Sequence, residues 1–232
     1  MREIFYISQT LAKVKKAVRY YRVPSVMVFS KEKDPFVVLV ICIISLRTRD
    51  EVTETASAQL FSLAKTPSQL LRLSKLKIEK AIYPAAFFRN KAHTLREICK
   101  VLVDSHAGKV PNKMDELLKL KGVGRKTANL ILILGHGKPG ICVDIHVHRI
   151  SNRWGYVKTK TPDETEMVLR GKLPRRYWMG YNNLLVSFGQ NICKPVSPFC
   201  GSCPIAETCL KVGVTTQRTS AQLKPALGEI RG

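Results

Sequence analysis

The sequence predicts an all-α fold. Apolar residues recur at helical spacing through most of its 232 positions. Several helix starts are marked by a capping residue followed by proline, and no stretch reads as a sheet strand.

The elements follow in order. Residues 8–22 carry Leu11, Val14, Val18 and Tyr21 on one side with lysines between them. This is a basic amphipathic helix, whose plain reading is a solvated outer face. After a polar turn at 31–35, Asp34 and Pro35 open the next helix as cap and first residue. Residues 36–44 are apolar on every side. Their β-branched content suits a strand, but the cap and the following Ser45-Leu46-Arg47 favour a buried helix, with Cys42 a small core residue. Asp50 is expected to cap a helix running to Leu63. Thr66-Pro67 opens a short helix to Leu73, and residues 76–82 form another, stopped by Pro84. Residues 85–92 lead into a longer helix ending near His106-Ala107-Gly108. Residues 115–120 end a helix, and 126–134 form an apolar helical run. The breaker cluster 135–140 suits a crossing between lobes. Further helices are expected at 144–154, after the cap Thr161-Pro162-Asp163-Glu164 with its acids in the first turn, and at 177–190. A basic tail poor in apolar residues begins at Thr215.

Composition narrows the function. The chain is long enough for one large or two modest domains with their own cores. Its 39 Lys and Arg against 17 Asp and Glu give a net charge of +22. Such a field favours a polyanion, nucleic acid first and an anionic membrane surface second. Ordinary apolar content excludes a disordered basic tail as the whole protein. The longest apolar run, 36–46, is too short to span a bilayer, and the start of the chain lacks the apolar core of a signal peptide. The expected location is therefore cytoplasmic or nucleoid-associated, inside the cell. Seven cysteines, an odd number without an export signal, point to metal rather than disulfides.

Chemistry concentrates in three places. In Lys121-Gly122-Val123-Gly124-Arg125-Lys126, two glycines two apart allow a backbone turn too tight for side chains. Between two helices this is a helix–hairpin–helix, whose second helix start grips a phosphate without reading sequence. Lys126 lies in that first turn. Its plain reading is one phosphate contact among many basic residues; its neutral amine would attack a sugar carbon and form a Schiff base. Asp144, beside apolar Val143 and Ile145, is either a helix cap or a carboxylate that stabilises positive charge on a sugar or assists proton transfer. His146 and His148, two apart, face different sides of a helix and are structural or DNA-facing. Cys193, Cys200, Cys203 and Cys209 are separated by six, two and five residues. Zinc usually takes two close pairs. One close pair flanked by single cysteines suits a [4Fe–4S] cube, with zinc the alternative. Lys194 and Lys211 make this loop basic.

The hairpin lysine, Val143-Asp144-Ile145-His146 and the six-two-five cysteine spacing, in this order, resemble the endonuclease III family of helix–hairpin–helix DNA glycosylases. The resemblance spans about residues 24–209. It implies two α-helical lobes around a DNA cleft: a six-helix barrel at 28–137, and an iron–sulfur domain joining 1–27 to 138–232. Lys126 matches the family's nucleophile, Asp144 its catalytic aspartate, and Cys193, Cys200, Cys203 and Cys209 its [4Fe–4S] ligands, with a structural role for the cluster. Lys121, Gly122, Val123, Gly124 and Arg125 would hold DNA. The implied activity is removal of oxidised or damaged pyrimidines from duplex DNA by a monomer, followed by cleavage 3′ to the abasic site by β-elimination. Two positions depart from the pattern. Lys121 replaces the usual proline, loosening the hairpin and adding a phosphate-facing charge. Arg47 stands where many relatives carry glutamine, the residue that enters the gap left by a flipped base; an arginine there would contact the orphan base. Arg47 gives weight to a G·T or G·U mismatch glycosylase of the same fold. A non-catalytic iron–sulfur DNA-binding protein would need neither Lys126 nor Asp144, and no recognition helix supports a transcription regulator.

Overall fold

The computed structural model describes residues 6–21 and 34–219. Residues 31–33 of the expected turn, and the basic tail past Thr219, lie outside the described residues. Among those described there is no strand. Two compact units emerge, Pro24–Cys142 in one, Met1–Val23 with Val143–Gly232 in the other.

In the unit of residues 24–142 the helices are α2 (Pro35–Ser45), α3 (Asp50–Leu63), α4 (Pro67–Arg72), α5 (Lys75–Ile82), α6 (Phe88–His106), α7 (Met114–Leu117) and α8 (Arg125–Leu130). The all-apolar segment is α2. The Asp34 carboxylate accepts from the Phe36 N–H at 2.7 Å, and Pro35 follows at the first position. α2 packs against α3, α6 and α8. Its buried Val38, Leu39, Val40, Ile43 and Ile44 lie in a continuous core with Leu60, Leu70, Ile78, Leu95, Leu102 and Leu120. α4 and α5 start on the side chains of Thr66 and Ser74. Arg49, not Asp50, holds the cap position of α3; Asp50 is its first residue, where an acid favours the dipole without capping.

The apolar run after the hairpin is not one α-helix. α8 passes at Ile131 into a π-helical turn, Ile131–Gly135. Gly135 there lies so close to Pro35 that an added Cβ would stand 2.6 Å from the proline Cα. The wider turn seats this contact. The unit also extends beyond the expected boundary at 137. Lys138 donates from its backbone to Leu132 and from its ammonium to Asn112. Gly140 lies against Asn129 and Ile133. These contacts hold residues 138–142 to this unit.

The other unit contains α1 (Ile7–Val18), α9 (Ile145–Arg153), α10 (Pro162–Lys172) and α11 (Trp178–Asn191). α1 buries Leu11, Val14 and Val18 and leaves its lysines outward, packed against α11. α10 starts on the Thr161 hydroxyl, which accepts from Glu164 N–H. α9 packs against α11. Gly189 permits their approach: a Cβ there would fall 2.4 Å from the His146 ring. Among the described residues no helix is long and apolar enough to cross a membrane.

Candidate functional site

The hairpin turns between α7 and α8. Gly122 has φ +75, a conformation that L side chains adopt at a cost. Gly124 precedes α8 with nothing within 4 Å of where a side chain would be, so the backbone there is open to an approaching ligand. Val123 is buried and anchors the turn, while Lys126, the second residue of α8, is exposed. The Cys142 thiol lies 3.8 Å from the Lys126 carbonyl. Cys42 is fully buried nearby, and burial pushes its thiol up to about 12. Lys121 is ion-paired with Glu97 of α6. That pairing holds the Glu97 carboxyl below its ordinary range.

Asp144 caps α9. Its Oδ1 accepts from His146 and Val147 N–H, both at 2.9 Å, and the residue is 8% exposed. The cap fixes the carboxylate at the start of α9 and belongs to the second unit, whereas Lys126 belongs to the first. His146 and His148 serve the helix framework. The His146 ring meets Arg149, and the His148 ring contacts Thr165 at 2.7 Å.

The four cysteines surround one cavity with Trp154, Phe188 and Phe199. α9 holds the start of their loop. Arg149 donates to the Cys193 carbonyl at 2.8 Å, and Arg153 donates to the carbonyls of Lys194 and Pro195 and to Cys193 Sγ at 3.5 Å. The Lys211 N–H points at Cys209 Sγ. Burial, reinforced by the other three cysteines, pushes the Cys203 thiol up to about 12. Cys200 and Cys209 are raised by burial too. Three thiols so disfavoured as anions, set with Cys193 around one cavity, suit a cationic group able to take the sulfurs as thiolates. Among the described residues no set of His, Cys, Asp or Glu is gathered as for a single ion. A cube taking one thiolate per iron fits the four-sulfur donor set.

A third feature was only half visible in the sequence. Arg47 is exposed in left-handed backbone at φ 54, with its guanidinium 5.7 Å from the ring of Phe87, itself at φ 57 and 60% exposed. Both line a cavity of about 360 Å³ with Asn90, Lys91, Thr94 and Gly122. Phe87 and Lys91 carry no motif. An aromatic residue before a helix start was the only available signal for Phe87.

An all-α unit carrying a helix–hairpin–helix, with a four-cysteine loop in its companion, defines a class of DNA-repair proteins. Residues 40–175 match the model of the HhH-GPD superfamily base excision DNA repair protein. Endonuclease III of Thermotoga maritima is 48% identical over 179 residues, covering 77% of this chain and 84% of that protein. The chloroplastic endonuclease III homolog 2 of Arabidopsis thaliana is 38% identical, and the match spans about half of it, 52%. A non-covalent endonuclease III–DNA complex superposes with TM-score 0.78 at 32% identity, covering 88% of this chain and 94% of that one. A trapped endonuclease III–DNA covalent intermediate gives TM-score 0.77 at 30% identity over the same shares. The chain belongs to the HhH-GPD superfamily and, within it, to the endonuclease III family.

Proposed function

We infer that the chain is a base-excision DNA glycosylase with abasic-site lyase activity that acts on damaged pyrimidines in duplex DNA through a Schiff base at Lys126. The observation that carries this reading is Lys126 itself. It is exposed on the first turn after the glycine hairpin, in a chain 30% identical to an endonuclease III trapped covalently on DNA. The hairpin amides and basic surface hold the phosphate backbone. A damaged, weakly stacked pyrimidine leaves the helix, and Arg47 with Phe87 fills the space. The neutral Lys126 amine attacks C1′. The glycosidic bond breaks with its electrons on the departing base, which takes up a proton, and Asp144 stabilises the positive sugar. The bound nitrogen loses a proton and expels O4′ from C1′, the ring oxygen taking up a proton as the ring opens, and the resulting iminium acidifies C2′. Loss of that proton expels the 3′ phosphate, and water releases Lys126.

Cys193, Cys200, Cys203 and Cys209 would hold a [4Fe–4S] cluster, and zinc is the alternative for the same donors. The cluster serves to fix a basic loop; the sugar chemistry is assigned to Lys126 and Asp144. The protein is read as a monomer on duplex DNA.

Borohydride reduces the Schiff base to a stable protein–DNA adduct. The wild type is expected to be trapped on abasic duplex DNA and Lys126→Gln to give no adduct; equal trapping of both would remove Lys126 from the nucleophile's role. A second reading, excision of thymine or uracil opposite guanine, is favoured by Arg47, whose guanidinium suits guanine O6 and N7. Excision from thymine-glycol and G·T duplexes, measured side by side, separates the two.

A further inference from the structure

Lys91 lies in the first turn of α6, yet its side chain is buried, at 6% exposure. Its ammonium donates to the Ile44 carbonyl at 2.6 Å, the Leu46 carbonyl at 2.7 Å and the Thr48 hydroxyl oxygen at 2.8 Å. Two of these acceptors sit at the C-terminal end of α2, where the helix dipole favours a cation. Among the described residues no carboxylate pairs with it. Burial pushes the amine down to about 8. A buried amine is a costly way to fill space, and an apolar side chain would fill it at less cost.

What the amine holds explains its place. Leu46 and Thr48 flank Arg47. The Thr48 oxygen accepts a second bond, from the Ala86 N–H at 3.1 Å, and Ala86 precedes Phe87. One hydroxyl therefore joins the turn bearing Arg47 to the turn bearing Phe87, and both its lone pairs are used. Each of the two joined residues is a non-glycine in left-handed backbone. Such strain persists only where the surroundings over-determine it.

We propose that Lys91 is a positioning residue for base opening: with Thr48 as the shared acceptor, it locks the two turns together and presents Arg47 and Phe87 to the DNA as one wedge. The proposal rests on the reading that Arg47 and Phe87 fill the gap left by the extruded base. Lys91 itself makes no contact with the reacting sugar in this scheme.

The test uses the full chain, with 2-aminopurine placed opposite the lesion to report unstacking of the orphan base. Lys91→Met keeps the length and removes the donors. It is expected to slow excision from a base-paired lesion by about tenfold and to weaken the fluorescence change, while borohydride trapping on pre-formed abasic DNA stays within about twofold. Lys91→Gln, which retains a donor, is expected to recover part of the loss. In an Arg47→Ala, Phe87→Ala background Lys91→Met is expected to add nothing, because the element it positions is gone. A loss of the same factor in both backgrounds would mean that Lys91 serves the fold alone, and the proposal would be wrong. If Arg47→Ala, Phe87→Ala by itself leaves excision and fluorescence unchanged, the gap-filling reading falls and takes the proposal with it. Should Lys91→Met not fold, Thr48→Val decides the matter on the same non-additivity, since it removes the shared acceptor together with the long 3.4 Å donation from Thr48 to the Leu46 carbonyl and leaves Lys91 in place.

Discussion

Glu97 reaches from α6 to the Lys121 ammonium at the hairpin, and His93 lies 3.4 Å from the same carboxyl group. The charge that replaces the family's usual proline is therefore already engaged within the protein. Glu97→Gln is expected to release Lys121 to the phosphate backbone. The slope of log affinity against log salt for undamaged duplex should then steepen by about one unit, the contribution of one added phosphate contact. Fluorescence anisotropy across a salt series measures this, and an unchanged slope would place Lys121 away from the backbone. The pH dependence has a definite sign. Lys121 holds the Glu97 carboxyl below its ordinary value, so the pair is intact above the unfolded carboxylate range and lost as pH falls through the folded value. Wild-type binding should approach that of Glu97→Gln on acidification. None of this was readable from Lys121 alone, because Glu97 is 24 positions away in another helix and no spacing links them.

At the scale of elements, legibility tracks locality. The caps at Asp34, Thr66 and Thr161 involve a side chain and a backbone donor two or three residues on, so the local sequence announces them. The cysteine loop was legible for the same reason. The π-helical turn was not, since Gly135 widens against Pro35, a residue 100 positions earlier. The Lys91 bonds to Ile44 and Leu46 span 47 and 45 positions and share that invisibility. The hairpin combines both cases. Its two glycines were visible as a pair, but their roles separate only in three dimensions. Gly122 needs positive φ, and a Cβ there would meet Thr94 at 3.3 Å; Gly124 has ordinary φ and open space. Gly122→Ala is expected to lower stability by about 1–2 kcal/mol through backbone strain. Gly124→Ala should melt with the wild type yet bind duplex DNA more weakly, because its methyl group occupies the approach to the backbone. Thermal denaturation alongside duplex affinity distinguishes the two; equal melting points for both variants would contradict the assignment.

At the scale of the whole molecule, the two units differ in what sustains them. The continuous core from Phe36 to Leu132 lies wholly within the unit of residues 24–142 and includes none of the four clustered cysteines. The other unit places those cysteines around a cavity walled by Trp154 and Phe188, and ties their loop to α9 through Arg149 and Arg153. The four sulfurs are partly buried and line that cavity together. If these cysteines hold the proposed [4Fe–4S] group, its loss should loosen the second unit first, because the group would tie together a loop that Arg149 and Arg153 fasten to α9. Removing it by oxidation and chelation is expected to bleach the visible iron–sulfur absorbance and to abolish hydrogen-exchange protection in α9 and α11, while α2 and α6 retain theirs. Arg153→Leu should cause the same loss of protection more slowly, by unfastening the loop at Lys194 and Pro195. Simultaneous loss of protection in all four helices would show that the molecule unfolds as one cooperative body, and that the cluster stabilises the hairpin unit as well as its own.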